Sequence, residues 1–123
     1  PQSIYKFGSY SVREKEEDEA EKLKEDAITL EKLGCFAIVL EKVPAKLAAE
    51  VAKSISIPVI GIGAGNGVDG QVLVTHDMLG MSHEFHPRFL RRYLDLYVEM
   101  TNAFQNYIKD VKSLDFPNDN EQY

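Results

Sequence analysis

Apolar residues recur at three- and four-residue intervals through Ala20, Leu23, Ala27 and Leu30, partly within a run of charges over 13–26. That spacing predicts an amphipathic helix over about 17–33, with the charges on its solvated face. Gly34 follows where a helix is commonly closed by a left-handed residue. The pattern then changes. Ala37, Ile38, Val39 and Leu40 are continuously apolar, as in a strand buried on both faces of a parallel sheet, and a strand is predicted over 36–40. After a loop over 41–43, Pro44 opens a helix at the position where its missing N–H is not needed. The buried stripe of that helix is Leu47, Ala48, Val51, Ala52 and Ile55. A second apolar strand over 57–62 is bounded by Pro58 and by the glycines Gly61, Gly63, Gly65, Gly67 and Gly70. A third, over 71–75, runs into His76 and Asp77.

The last periodic stretch is the longest. Leu90, Tyr93, Tyr97, Met100, Phe104, Tyr107, Val111 and Leu114 keep three- and four-residue steps throughout, predicting a helix of about 26 residues and about 39 Å. Its aromatic content and length assign one part to packing on the sheet and the other to contact with another subunit. Residues 1–12 read as irregular, with a turn at Gly8, and 116–123 as a polar tail.

Buried-type strands alternating with helices imply parallel pairing and an α/β architecture in a single segment, 1–123. Three strands cannot close an eight-stranded barrel. The pattern leaves either a small open sheet or part of a larger fold.

Composition narrows the partners. The 123 residues are 44% hydrophobic, enough for a core, and Lys plus Arg is 14 against 20 for Asp plus Glu, a net charge of -6. That balance argues against nucleic acid, whose phosphates need clustered cations. No apolar run approaches the roughly 20 residues of a membrane span. No signal-peptide pattern is visible, and a start at Pro1 without methionine is compatible with a missing N-terminal portion. Cys35 is the only cysteine, so an intrachain disulfide is excluded, a buried thiol is expected, and a reducing, cytoplasmic setting fits.

Four features carry candidate chemistry. Glu41 stands at the C-terminal end of the first strand, where parallel β/α folds place catalytic groups. Partial desolvation there would raise its pKa and make it a better base. The ordinary alternative is a charge favoured by the N-terminus of the next helix. Gly65, Gly67 and Gly70 match G-x-G-x-x-G, but a strand follows where the dinucleotide fingerprint needs a helix. The loop is therefore a tight turn, or else lets a substrate approach the backbone closely. His76 and Asp77, at the end of the third strand, would face the same side as Glu41, although a structural histidine is the commoner case. His83 and His86, three apart, have no third metal ligand nearby.

The stretches PQSIYKFGSY, AIVLEKVPAKLA and IPVIGIGAGNGVDGQVLVTHDMLG, with the closing FPNDNEQY, together resemble the ketopantoate hydroxymethyltransferase family collinearly over nearly the whole chain. The resemblance implies a (β/α)8 TIM barrel of roughly twice this length, with the present chain as its C-terminal half, strands six to eight, and a long C-terminal helix. It places the family's Mg²⁺ ligands and substrate-binding lysine in the missing half, so no metal ligand is expected here. It carries the proposed catalytic base onto Glu41. Lys42 departs from the family, which often has cysteine there, and Gly8-Ser9 stands where a glycine pair is common. A cation at 42 could lower the Glu41 pKa, although strand alternation would turn the two side chains apart.

The reaction implied moves a one-carbon unit from 5,10-methylenetetrahydrofolate to 3-methyl-2-oxobutanoate, giving 2-dehydropantoate for pantothenate biosynthesis. The partners implied are the complementary N-terminal half, further copies in a homo-oligomer, and the keto acid. Two alternatives stay open. One is another Mg²⁺-dependent keto-acid barrel enzyme of the phosphoenolpyruvate-mutase kind, separable by its need for folate. The other is a non-catalytic half-barrel fragment.

Overall fold

The computed structural model describes residues 17–84 and 86–123. They fall into two units, the first ending at Val72 and the second running from Leu73 to Tyr123. The expected turn at Gly8 lies outside the described residues.

The first unit opens with helix α1 (Glu17–Lys32). It ends as its sequence requires. Gly34 takes a φ of +91°, the Gly34 N–H donates to Glu31 O at 3.0 Å, and the Cys35 N–H donates to Leu30 O at 3.1 Å. This pair of bonds satisfies carbonyls that a helix end otherwise leaves open. Strand β1 (Ile38–Glu41), helix α2 (Ala45–Ser54), strand β2 (Val59–Ile62) and strand β3 (Gly70–Gln71) follow. The strands form one parallel sheet in the order β1-β2-β3.

Helix α2 is the crossover between β1 and β2. Its Leu47, Ala48 and Val51 lie on one face and pack with Ile38, Leu40 and Val59 of the sheet and Ala27 of α1; Val43 and Ala64 complete this core. Between β2 and β3 there is no helix. Residues 63–69 alone make a parallel connection that ordinarily takes about a dozen residues or more. Asp69 fixes the return: its N–H donates to Val59 O at 3.0 Å, while its Oδ2 accepts the Val59 N–H at 2.8 Å.

The structure corrects the expectation of a strand buried on both faces. Ile38 and Leu40 are buried, but Val39 is 62% exposed and Glu41 is also exposed. The core helices bury one face, and side-chain alternation divides a continuous apolar run into a packed row and an open row.

The second unit contains helices α3 (Thr75–Met78) and α4 (Leu96–Lys112). Both differ from the sequence reading. The third strand, expected over 71–75, pairs only at Gly70–Gln71, and the sheet bonding ends with the Val72 N–H on Gly61 O at 3.0 Å. The chain then turns helical, with the Met78 and Leu79 N–H groups donating to Val74 and Thr75 carbonyls at 2.9 and 3.0 Å. The final helix has 17 residues instead of about 26. Its expected first turns are taken up otherwise: the N–H groups of Tyr93, Leu96 and Tyr97 donate to the carbonyls of Met78, Leu79 and Gly80, each at 2.9 Å. The bonds from Leu96 and Tyr97 satisfy donors that a helix start leaves open. The segment after α4 is folded back, with the Phe116 ring edge-on to Tyr107 at 5.6 Å.

Candidate functional site

Glu41 is the last residue of β1, paired in register with Ile62 at the end of β2. Beyond it the backbone reverses. Lys42 has a φ of +55°, and its N–H donates to Ile62 O at 2.9 Å. Val43 is buried, and Pro44 is the N-cap of α2. The carboxylate thus sits at the C-terminal rim of a parallel sheet, on the open face, next to Val39 in the alternation and Ile62 across the ladder. The N-cap itself, Pro44, makes no side-chain cap hydrogen bond, and the first turn of α2 carries no acidic residue. The desolvation expected for Glu41 is not found in this chain, because the helices pack on the other face and leave the carboxylate exposed. Lys42 lies past the strand in a left-handed turn, so strand alternation does not govern its side chain. A carboxylate so held can accept a proton from a ligand lying on the open face.

The glycine loop is the tight turn expected, with Gly63 and Gly65 at φ of +65° and +77°, and its glycines also answer to packing. A Cβ at Gly65 would collide with Ala45 Cβ, and one at Gly67 would lie 2.7 Å from Ala49 Cβ. The glycines are needed where the loop lies against the first turns of α2, one side of the very turn that follows Glu41.

His76 and Asp77 are on α3 in the second unit, not at the end of a strand as expected. His76 is exposed and Asp77 half-buried. The rings of His83 and His86 are 6.5 Å apart and nearly perpendicular, and His83 also faces the Tyr97 ring at 5.2 Å. Among the described residues, no group of three or more His, Cys, Asp or Glu side chains could hold a metal ion. The donor set therefore does not fit Mg²⁺, which needs several convergent oxygen ligands. No helix of the described residues is long and apolar enough to cross a membrane.

Two residues with structural work in the sheet escaped the sequence reading: Asp69, which holds the start of β2 as described above, and Gln71, whose Nε2 donates to Gly65 O at 2.8 Å. Their signal was present as two polar side chains flanking Gly70 at the start of a short strand. In the second unit, Arg92 escaped it too; its guanidinium bonds the carbonyls of Ser82 and His83.

Comparison with known proteins bears on what this rim does. The family model described as ketopantoate hydroxymethyltransferase matches residues 1–119. A protein of Christiangramia forsetii named 3-methyl-2-oxobutanoate hydroxymethyltransferase is 80% identical over 123 residues, all of this chain and 45% of that relative's length. Proteins of the same name from Flavobacterium johnsoniae and Parabacteroides distasonis are 75% and 68% identical, again over all of this chain and 45% of their own length. The chain spans about half the length of the curated relatives it matches. With the family model matching nearly every residue, the chain belongs to the ketopantoate hydroxymethyltransferase family.

Proposed function

We propose that the complete protein transfers a hydroxymethyl group from 5,10-methylenetetrahydrofolate to 3-methyl-2-oxobutanoate, giving 2-dehydropantoate, and that Glu41 is the base that starts the reaction. What supports this reading is the position of Glu41: a carboxylate at the C-terminal rim of a parallel strand, on the sheet face that this chain leaves open. In the family setting that rim belongs to a (β/α)8 barrel, and these strands are its sixth to eighth. The Val39–Glu41 row then faces the barrel interior, and the complementary N-terminal half covers it. Completing the barrel would also enclose Glu41.

The chemistry is proton abstraction next to a ketone. The C3–H bond of 3-methyl-2-oxobutanoate breaks, the proton passes to a Glu41 carboxylate oxygen, and the electron pair remains as the enolate. The two C–N bonds that hold the methylene carbon to the folate break, that carbon bonds to C3 and to the oxygen of a water, and tetrahydrofolate leaves with the proton taken from C3 and one proton of the water on its two nitrogens. Held by ligands that the family resemblance places outside this chain, Mg²⁺ would polarise the keto acid's carbonyl. The chain by itself is inactive, since it supplies the base without the groups that hold the keto acid. The α4 stripe of exposed apolar residues, Tyr97, Phe104, Tyr107 and Val111, contributes to contact between copies.

In the complete enzyme, Glu41→Gln keeps the shape of the side chain and removes the base. The expected result is a loss of about 10²–10⁴-fold in kcat with keto-acid affinity nearly unchanged. Retention of full turnover by Glu41→Gln would sink the assignment.

A further inference from the structure

Between Glu41 and the first residue of α2, Ala45, the chain has little freedom of its own. The Lys42 N–H is bonded to Ile62 O at 2.9 Å, Val43 is anchored in the core, and the ring of Pro44 restricts its φ. What remains is a shift of the N-terminal turn of α2 across the sheet. Gly65 stands in the way of that shift, so close to Ala45 that no Cβ fits between them. Gly65 takes a φ of +77°, which L side chains rarely adopt. Its carbonyl accepts the Gln71 amide at 2.8 Å. That amide passes over Gly61, where a Cβ would come within 3.4 Å of Gln71 Nε2 and 3.0 Å of Val68 Cγ2. Gly61 is itself paired with Leu40 on β1 and Gln71 on β3. A run of close contacts thus leads from β3 through the glycine loop to the turn behind Glu41.

We propose that Gln71 and Gly65 are positioning residues for the reaction: the Gln71–Gly65 hydrogen bond and the seat of Gly65 on Ala45 lock the turn that aims the Glu41 carboxylate. The proposal rests on the reading of Glu41 as the base. It gives the glycines a role in geometry instead of in contact with a ligand. A displacement of about 1 Å at a reacting group can cost about 100-fold in rate, so a loose turn lowers kcat while leaving the substrate-holding groups untouched.

The test uses the complete enzyme with Gln71→Met, which keeps the length of the side chain and removes the donor, and Gly65→Ala, which forces Ala45 away. Amide hydrogen exchange at Lys42 and Ala48 reads the lock directly, and steady-state kinetics read its consequence. Expected for Gln71→Met are faster exchange at both amides, a kcat reduced about 10- to 100-fold, and a KM changed less than about threefold. Gly65→Ala should show the same pattern more strongly, and if it fails to fold, Gln71→Met alone decides. Unchanged amide exchange in Gln71→Met overturns the proposal, as does faster exchange with an unchanged kcat. Failure of the Glu41 reading shows itself separately, as full turnover in Glu41→Gln, and the amide readout still reports whether the lock exists.

Discussion

Lys42 shows how much a single backbone angle decides. At φ +55° it occupies a region that costs an L residue roughly 1–2 kcal/mol, and it does so directly after the proposed base. The turn it makes lets the chain leave the sheet edge within one residue while its N–H still closes the last bond of the β1–β2 ladder. Glycine fits this angle at no steric cost, whereas a β-branched side chain does not. Lys42→Gly is therefore expected to be more stable than Lys42→Val by more than about 1 kcal/mol. Urea unfolding midpoints of the complete protein would check this, and equal stability of the two variants would show that the turn carries no strain. A loop over 41–43 was legible in the sequence, but the left-handed angle at Lys42 was not. Lysine carries no turn signal, and the alternation of the strand before it pointed to one more extended residue.

At the scale of elements, α1 and α2 are joined by charge as well as by the apolar core. Lys24 bonds Glu50 at 2.9 Å and Glu21 at 3.1 Å. The hydrogen bond from Lys24, reinforced by its charge, holds the Glu50 carboxyl below the ordinary carboxylate value, and the bonds to Glu50 and then Glu21 raise Lys24 above 10.5. The lowered carboxyl contributes stability above its ordinary pKa, and that contribution is lost as the pH falls through the lowered value. The raised ammonium contributes below 10.5 and is lost as the pH rises through its raised value. At neutral pH both contributions are present. Glu50→Gln should then match the parent's stability at low pH, fall slightly below it at neutral pH, and lose the difference in high salt, because the pair is exposed. A pH-independent difference in unfolding midpoint would contradict this account.

These two helices were also the most legible elements. A helix predicted over 17–33 is observed as Glu17–Lys32, and one opening at Pro44 begins at Ala45, because each has an apolar stripe and a clear stop or start residue. The strand 71–75 and the long final helix were misread for a shared reason. Periodicity reports which side chains could share a face, but not where backbone N–H groups find acceptors. The carbonyls of residues 78–80 take the donors of Tyr93, Leu96 and Tyr97, and no spacing of apolar residues announces that. The role of Glu41 was legible only as a position at a strand end, while the hold exerted by Gln71 and Gly65 needed coordinates.

For the whole molecule, the first unit's sheet has one packed face and one open face, and Phe36, just before β1, is 89% exposed. Strand edges and apolar surface of this kind favour association in water. The isolated chain is expected to self-associate or to unfold without cooperativity, and a compact monomer with a sharp melting transition in sedimentation and thermal experiments would contradict that. It is also expected to show no stoichiometric micromolar Mg²⁺ binding by calorimetry, since its described residues bring no set of oxygen ligands together. The central claim is that this chain brings the base to a site that the rest of the protein completes. Its most direct test is exchange of the C3 hydrogen of 3-methyl-2-oxobutanoate in heavy water without folate. The measurement would be made on this chain alone, on the complementary N-terminal polypeptide alone, and on the two refolded together. The account predicts exchange only in the reassembled pair, and its loss when the chain carries Glu41→Gln. Exchange at an undiminished rate in a reassembled pair carrying Glu41→Gln, or from the N-terminal polypeptide by itself, would contradict it.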